Sequence, residues 1–263
     1  MFESALKLSP KIRKFTSHVD ILIESSRYTL ETLSNPKDFG ELFKLRHQAF
    51  LKGRKVKLTK RVLPLDLDKY DSVCDHILIK EKASGEIVGT YRVLSSLYTD
   101  SFYSENEFDL SPFLSSASGN VLELGRACIT PAHRNGFVLD LLWKGVGQYC
   151  LKTQAKYLFG CASFWDTDKI KTLELIKYLK DEGHELKSFN INVTKKFKWK
   201  NNFSGEVVAK QEHIPALLKS YLKAEAKVNL EPAYDKAFKC FDFLTILDID
   251  EMTSFFRKRY LKD

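Results

Sequence analysis

Residues 121–136 read "VLELGRACITPAHRNG", an apolar run of strand length with a glutamate and an arginine, Glu123 and Arg126, set inside it. Ionised side chains rarely occupy such runs unless they are paired or used chemically. In a flat strand successive side chains alternate faces, so residues three apart point to opposite sides of the sheet. One extra residue at Gly125 shifts that phase and brings Glu123 and Arg126 to a common face. The sequence therefore predicts a bulged strand, whose irregular backbone frees N–H and C=O groups for a ligand. A buried Glu–Arg ion pair that only holds the sheet is the competing account.

The chain then passes through Pro131, His133, Arg134, Asn135 and Gly136 into an amphipathic pattern. Leu139, Leu142, Trp143, Val146 and Cys150 recur there at helical spacing. A helix start attracts phosphate through its unsatisfied N–H groups, and Arg134 adds a charge-assisted contact. Strand, bulge and helix start together suit a phosphate-bearing ligand.

Around this segment the pattern is mixed α/β. "YTLETL" (28–33) reads as a strand, "DFGELFKLRHQAFL" as a helix, and "DHILIKE" with "IVGTYRVL" as a hairpin. Residues 105–114 suggest a short helix and "YLFGCAS" a buried strand. "DTDKIKTLELIKYLK" reads as a helix capped by Asp166 or Thr167. "FDFLTIL" is a late strand, followed by a terminal helix from about residue 250. With no internal repeat or low-complexity linker, the expectation is an N-terminal arm over 1–24 and a single domain over 25–263.

Composition narrows the function classes. Lys and Arg number 42 against 34 Asp and Glu, a net charge of +8. Basic residues cluster at Lys11–Lys14, Arg54–Arg61, Thr194–Lys200 and Phe255–Lys262. Such clusters suit an acidic protein or an anionic membrane face, and a solvated lysine-rich surface explains any one of them equally well. No helix-turn-helix, zinc-finger or RNP-like pattern accompanies the charge, so nucleic acid is not expected as a partner. The five cysteines are scattered without a CxxC pair, which indicates neither a zinc site nor a disulfide frame. No secretory signal is expected in "MFESALKLSPKIRK", and no apolar run approaches the ~18–20 residues that span a bilayer. A cytoplasmic protein, with a peripheral contact at the inner membrane face, is the expectation.

Several ordered blocks resemble one family: "RHQAF" (46–50), "DLDKYD" (66–71) with "CDHILI" after it, "GTYRVL" (89–94), "FYSENEFDL" (102–110), "LELGRACI", "LLWKGVGQY", "FGCASF" (159–164), "LLKSYLKAEAKV" and "FDFLTIL". Over roughly residues 28–250 the chain is similar to the GNAT acyltransferases. Within them it resembles the ornithine N-acyltransferases of lyso-ornithine-lipid synthesis, their hemolysin-labelled relatives and the acyl-homoserine-lactone (autoinducer) synthases. The resemblance implies a mixed, mostly antiparallel central sheet with a bulged central strand, flanked by helices. It also implies transfer of a long (3-hydroxy)acyl chain to an amino-acid α-amine, with no bound cofactor.

One departure from the wider family bears on the donor. Enzymes of that fold that use acetyl-CoA carry glycines that wrap the pyrophosphate, whereas "RNGFVL" places Phe137 and Leu139 there. The lipid-making branch uses an acyl carrier protein, whose phosphopantetheine needs less of a cradle and whose acidic surface suits a basic partner. By resemblance, Glu123 is the general base and Arg126 orients it or binds a carboxylate. The acceptor pocket is assigned Arg46, Asp66, Asp68, Asp71, Arg92, Phe102 and Ser163. Arg92 would clamp the acceptor carboxylate, and the acids would meet an ammonium. The donor's phosphopantetheine is assigned Cys128, Ile129, His133, Arg134, Asn135 and Gly136.

The nearest competitors are ordinary: a surface arginine for Arg92, a helix salt bridge for Arg46, a solvated loop tip for the three acids, and packing for the Cys128 and Cys161 thiols. "DLDKYDSVCDHI" lacks the Gly and closing Glu of a calcium loop, so no metal is expected. His76 and His133 show no hydroxyl or thiol partner in sequence, so a triad is not indicated. The acceptor remains open between ornithine and another amino acid such as glycine, and a non-enzymatic membrane-binding protein of the same fold is the third reading.

Overall fold

A computed structural model describes residues 12, 14–50, 65–200, 203 and 205–262; the basic cluster Arg54–Arg61 lies outside them. In chain order the elements are β1 (Leu22–Glu24), β2 (Tyr28–Thr32), α1 (Phe39–Phe50), β3 (Asp75–Glu81), β4 (Ile87–Ser95), α2 (Ser111–Ser116), β5 (Asn120–Ile129), α3 (Gly136–Thr153) and β6 (Ala155–Phe164). There follow α4 (Lys169–Asp181), α5 (Ala216–Lys223), β7 (Lys227–Val228), β8 (Ala233–Asp235), β9 (Cys240–Asp248) and α6 (Ser254–Tyr260). The fold is mixed α/β, as the sequence pattern predicts, with the mostly antiparallel strand pairing that the family resemblance implies. The Cα packing divides it into two compact units, one of residues 1–99, 124–153 and 259–263 and one of residues 100–123 and 154–258.

In the first unit β1, β2, β3 and β4 pair antiparallel in sequence order. Every residue of β4 and the first five of β3 are buried, the signature of strands covered on both faces. Helix α1 turns Phe39, Leu42 and Phe43 inward, an i, i+3, i+4 stripe, onto Leu33, Leu78 and Ile87. Within the N-terminal stretch, Phe15, Val19 and Ile21 are buried, and the backbone amides of His18 and Val19 donate to Asp75. On α3 the buried face is Val138, Leu141, Leu142, Val146, Tyr149 and Cys150, and Leu139 from the expected stripe is only half-buried. A Cβ on Gly147 would fall on the carbonyl of Tyr260, so only glycine lets α6 end against α3. Arg259 Nε and Tyr260 OH then both donate to Asp140.

In the second unit the start of β5 pairs parallel with β6, and β6 pairs antiparallel with β9 along its length. Strands β7 and β8 both add to β9. Phe164, Leu175, Leu179, Leu218, Phe241 and Phe243 form the core beneath α4 and α5. Two boundaries differ from expectation. Asp168, not Asp166 or Thr167, caps α4 through Ile170 N, because the Asp166 carboxylate is taken by Lys171 and by Asp168 N. The terminal helix starts at Ser254, because Asp248 first holds the amides of Asp250 and Glu251 in a turn.

Candidate active site

β5 shifts register against β6 between Asn120 and Val121 rather than at Gly125, and further along the strand its backbone leaves strand geometry at Arg126. Arg126, not Gly125, takes a left-handed backbone with φ of 53°. An arginine there costs on the order of 1 kcal/mol and persists where surrounding contacts hold it. Those contacts are carboxylates: Arg126 Nε donates to Asp66 Oδ2 at 2.9 Å and Nη2 to Asp68 Oδ2 at 3.1 Å.

The same acids lead around a closed circuit in the first unit. Arg46, on α1 and fully buried, donates through Nε to Asp66 Oδ2 at 2.9 Å and through Nη1 to Asp71 Oδ1 at 2.6 Å. Arg92, on β4, reaches both Asp68 oxygens at 2.8 Å and Asp71 Oδ1 at 3.2 Å. Each aspartate therefore bridges two arginines and each arginine two aspartates, so three positive and three negative charges balance in a ring.

The loop residues carry further bonds. Asp68 Oδ1 accepts from Tyr70 N, and Asp71 Oδ2 from Asp68 N, a reciprocal cap on the 3₁₀ turn at Lys69–Ser72. His76 Nε2 lies 3.1 Å from the Asp71 carbonyl, which accepts its proton, while Nδ1 has no hydrogen-bond partner among the described residues.

Electrostatics follow from that closure. Burial alone would raise the proton affinity of Asp66 and Asp71, but Arg126 and Arg46 outweigh it for Asp66, and Arg46 and Arg92 for Asp71. Both stay ionised below the usual carboxylate range, Asp71 the further of the two. Burial, reinforced by Arg46 and Arg92, depresses His76 to about 4 against the pull of Asp71, so its ring is neutral. The substrate-facing roles expected of Arg46, Arg92, Asp66, Asp68 and Asp71 thus fall on side chains that already satisfy one another.

Glu123 sits in a different setting, within the second unit and only 5 % exposed. The 3₁₀ turn at Tyr103–Asn106 wraps its carboxylate: Tyr103 N donates to Oε2 at 2.7 Å, and Ser104 N and Oγ donate to Oε1 at 2.7 and 2.5 Å. From β6 the Cys161 thiol lies 3.4 Å from Ser104 Oγ and 3.6 Å from Glu107 Oε2. Burial first, then the charges of Glu107 and Asp242, hold that thiol well above its ordinary range. Ser163, also on β6, donates to Asp242 Oδ1 at 2.5 Å.

Glu107, Asp235 and Asp242 are all buried, and one ligand oxygen from each lies within 4.8 Å of the others. So dense a negative charge suits a cation, whether a metal ion or an ammonium. The sequence reading named none of these three acids and had only Ser163, which donates to Asp242. Asp242 in "CFDFLTIL" is an acid inside an apolar strand, the anomaly that singled out Glu123, and the same test would have found it.

The remaining predicted residues divide. Phe102 is buried edge-on against Phe159, with ring centroids 5.1 Å apart, as core packing. Cys128 is buried and its thiol pushed up to about 12 by burial, which keeps it protonated. The Ile129 carbonyl accepts from Arg134 Nε at 3.1 Å, tying that guanidinium's stem to the strand. His133 spans Thr130 Oγ1 at 2.9 Å and Glu81 Oε1 at 3.4 Å. Asn135 caps α3 by accepting from Val138 N, and open space surrounds Gly136.

Residues 45–144 match the family profile described as an acetyltransferase (GNAT) domain. An L-ornithine N(alpha)-acyltransferase of Agrobacterium fabrum strain C58 is 28 % identical over 253 residues, covering 85 % of this chain and 82 % of that protein. A protein of the same name from Brucella abortus strain 2308 is 28 % identical, covering 80 % of each chain. Among solved structures, the AHL synthase LasI superposes with a TM-score of 0.51 at 15 % identity, over 92 % of this chain and 95 % of that one. TofI, crystallised with an inhibitor and MTA, also gives 0.51 at 15 % identity, over 90 % and 97 %. These structural likenesses concern the fold alone.

Proposed function

The chain is an acyltransferase of the GNAT fold, and from that premise we propose that it moves a long 3-hydroxyacyl chain from a carrier-protein thioester to the α-amine of L-ornithine. The observation that carries this reading is the placement of Glu123 in a unit whose interior also gathers Glu107, Asp235 and Asp242. An amino-acid acceptor with a second ammonium at its far end matches such a concentration of acids, and glycine has nothing to offer it. The names of the relatives point the same way.

In this mechanism the Glu123 carboxylate takes a proton from the acceptor ammonium, directly or through one water, leaving a neutral amine. The amine nitrogen attacks the thioester carbonyl, whose oxygen takes the negative charge of the tetrahedral intermediate. Collapse expels the phosphopantetheine thiolate, which takes the extra proton from the attacking nitrogen, and a neutral amide and a thiol remain. Glu107, Asp235 and Asp242 hold the acceptor's side-chain ammonium. The balanced arginine–aspartate ring keeps the loop at 66–71 on α1, β4 and β5 and takes no part in bond making.

The donor reading rests on Phe137 at the start of α3, 49 % exposed where a CoA cradle needs bare backbone. Arg134 and the first amides of α3 receive the single phosphodiester of phosphopantetheine. The acidic carrier docks on exposed lysines. No helix among the described residues is long and apolar enough to cross a membrane. We place the protein in the cytoplasm, touching the inner leaflet through exposed Phe255 and its basic neighbours.

The deciding experiment offers 3-hydroxyacyl carrier protein with a mixture of free amino acids and reads the N-acylated products by mass spectrometry. N-acyl-ornithine should dominate. Equal acylation of glycine sinks the acceptor assignment, and equal rates with 3-hydroxyacyl-CoA sink the donor assignment.

A further inference from the structure

A carboxylate that serves as a base must be held in one plane, with its proton affinity set near the working pH. The turn at Tyr103–Asn106 holds both oxygens of the Glu123 carboxylate with donors that favour its charged form, and one residue of the turn gives most of the donors described. Ser104 supplies two of the three donors described, N–H and Oγ–H, both to Oε1, while Tyr103 N holds Oε2. A serine hydroxyl has a single hydrogen, and here it is directed to Glu123 at 2.5 Å. The Cys161 thiol, kept protonated by its surroundings, lies against the accepting side of the same hydroxyl at 3.4 Å. The hydroxyl therefore donates to Glu123, while the single thiol hydrogen of Cys161 has both Ser104 Oγ and Glu107 Oε2 within reach. Among the described residues, the titratable groups around the pair include Tyr103 and Glu105 on the turn, Glu107 beside the thiol, Cys161 on β6 and Asp242 on β9.

We propose that Ser104 is a positioning residue for acyl transfer: its hydroxyl and amide clamp the Glu123 carboxylate and moderate its affinity for the proton taken from the acceptor amine. Hydrogen bonds to a carboxylate favour its charged form, so losing the hydroxyl leaves a looser carboxylate that protonates at higher pH. The inference rests on Glu123 being the base.

Ser104→Ala, assayed with 3-hydroxyacyl carrier protein and L-ornithine, is expected to lower kcat about tenfold with the ornithine KM within about twofold. The acid limb of its kcat–pH profile should move up by roughly half a unit or more. Ser104→Thr, which keeps the hydroxyl, should restore both. An unmoved acid limb overturns the proposal, and so does a loss carried in KM alone, which a merely distorted pocket would give. Should the alanine variant not fold, Ser104→Cys, a weaker donor of similar shape, carries the same reading.

Infrared titration of the Glu123 carboxylate, taken as the difference between each protein and its Glu123→Gln counterpart, needs no substrate. A higher midpoint in Ser104→Ala supports the clamp, and an unchanged midpoint overturns it. Wild-type turnover in Glu123→Gln removes the base assignment itself, which separates failure of that reading from failure of this one.

Discussion

Two polar interiors of this molecule are built on opposite principles. In the first unit, Arg46, Arg92 and Arg126 alternate with Asp66, Asp68 and Asp71 in a ring whose charges cancel. In the second, Glu123 is held by two amides and a hydroxyl, with Glu107, Asp235 and Asp242 gathered near a thiol and a serine. Moving ions out of water is costly, and a closed ring recovers part of that cost internally. Acids held by neutral donors keep their charge on offer to a proton or an ammonium. A buried network of matched charges is a fastening, whereas a concentration of one sign is where binding and proton transfer belong.

The comparison breaks most readily at Glu123. Glu123→Gln keeps the shape, but its single amide oxygen can accept on only one side and it cannot take a proton, so kcat should fall by about 10²–10⁴-fold with the fold intact. Acylation kinetics beside a circular-dichroism melt check this, and a wild-type rate would erase the distinction between the two interiors. The ring should answer in stability instead. Arg46→Met strands Asp66 and Asp71 without their shared cation, and urea unfolding should record a loss of about 3–5 kcal/mol. Adding Asp71→Asn should recover part of that loss, because the two sites are coupled.

Acid gives a further test of the ring. His76 is depressed to about 4 from an ordinary 6.5, so between those values the unfolded chain binds the proton that the folded chain refuses. Stability is therefore whole above about pH 6.5 and is lost as pH falls toward 4. The full effect is on the order of 3 kcal/mol, and Asp71 adds to it below its ordinary 3.8. Urea melts at pH 7, 5.5 and 4.5 should show the decline, and His76→Gln should flatten it. The smallest expected effect sharpens the second interior. Asp242→Asn should cut the preference for ornithine over norvaline, which lacks the terminal amine, by roughly tenfold. Competition between the two acceptors, read by mass spectrometry, measures it; an unchanged ratio would move the ammonium site elsewhere.

Much of the fold was legible because it rests on local signals. The i, i+3, i+4 apolar stripe of α1, the strand pair around the Ser84-Gly85 turn and the run of β9 all follow from patterning along the chain. The oddity of two charges in "VLELGRACI" was legible too, and it correctly marked a departure from strand geometry. The pattern expected an inserted residue at Gly125, whereas the register of β5 shifts between Asn120 and Val121. Gly125 is the residue that tolerates a left-handed backbone most cheaply, yet Arg126 adopts it, because Asp66 and Asp68, some 60 positions away in the chain, hold its guanidinium there.

The partners of each charge were beyond the sequence for the same reason. Asp66, Asp68 and Asp71 read equally well as a substrate pocket, a metal loop or a solvated tip, since a carboxylate's role depends on what lies within ~4 Å of it. Ser104 carried no signal at all: a serine in a short polar turn is unremarkable until a strand sets a glutamate against it. By itself the sequence determined the elements, the apolar faces and the presence of a charged anomaly at Glu123 and Arg126, because periodicity and desolvation cost act through the chain's own neighbours. Only the tertiary structure decided that Arg126 belongs to a closed ring and Glu123 to a clamp, because Coulomb and hydrogen-bond energies are set by distances through space.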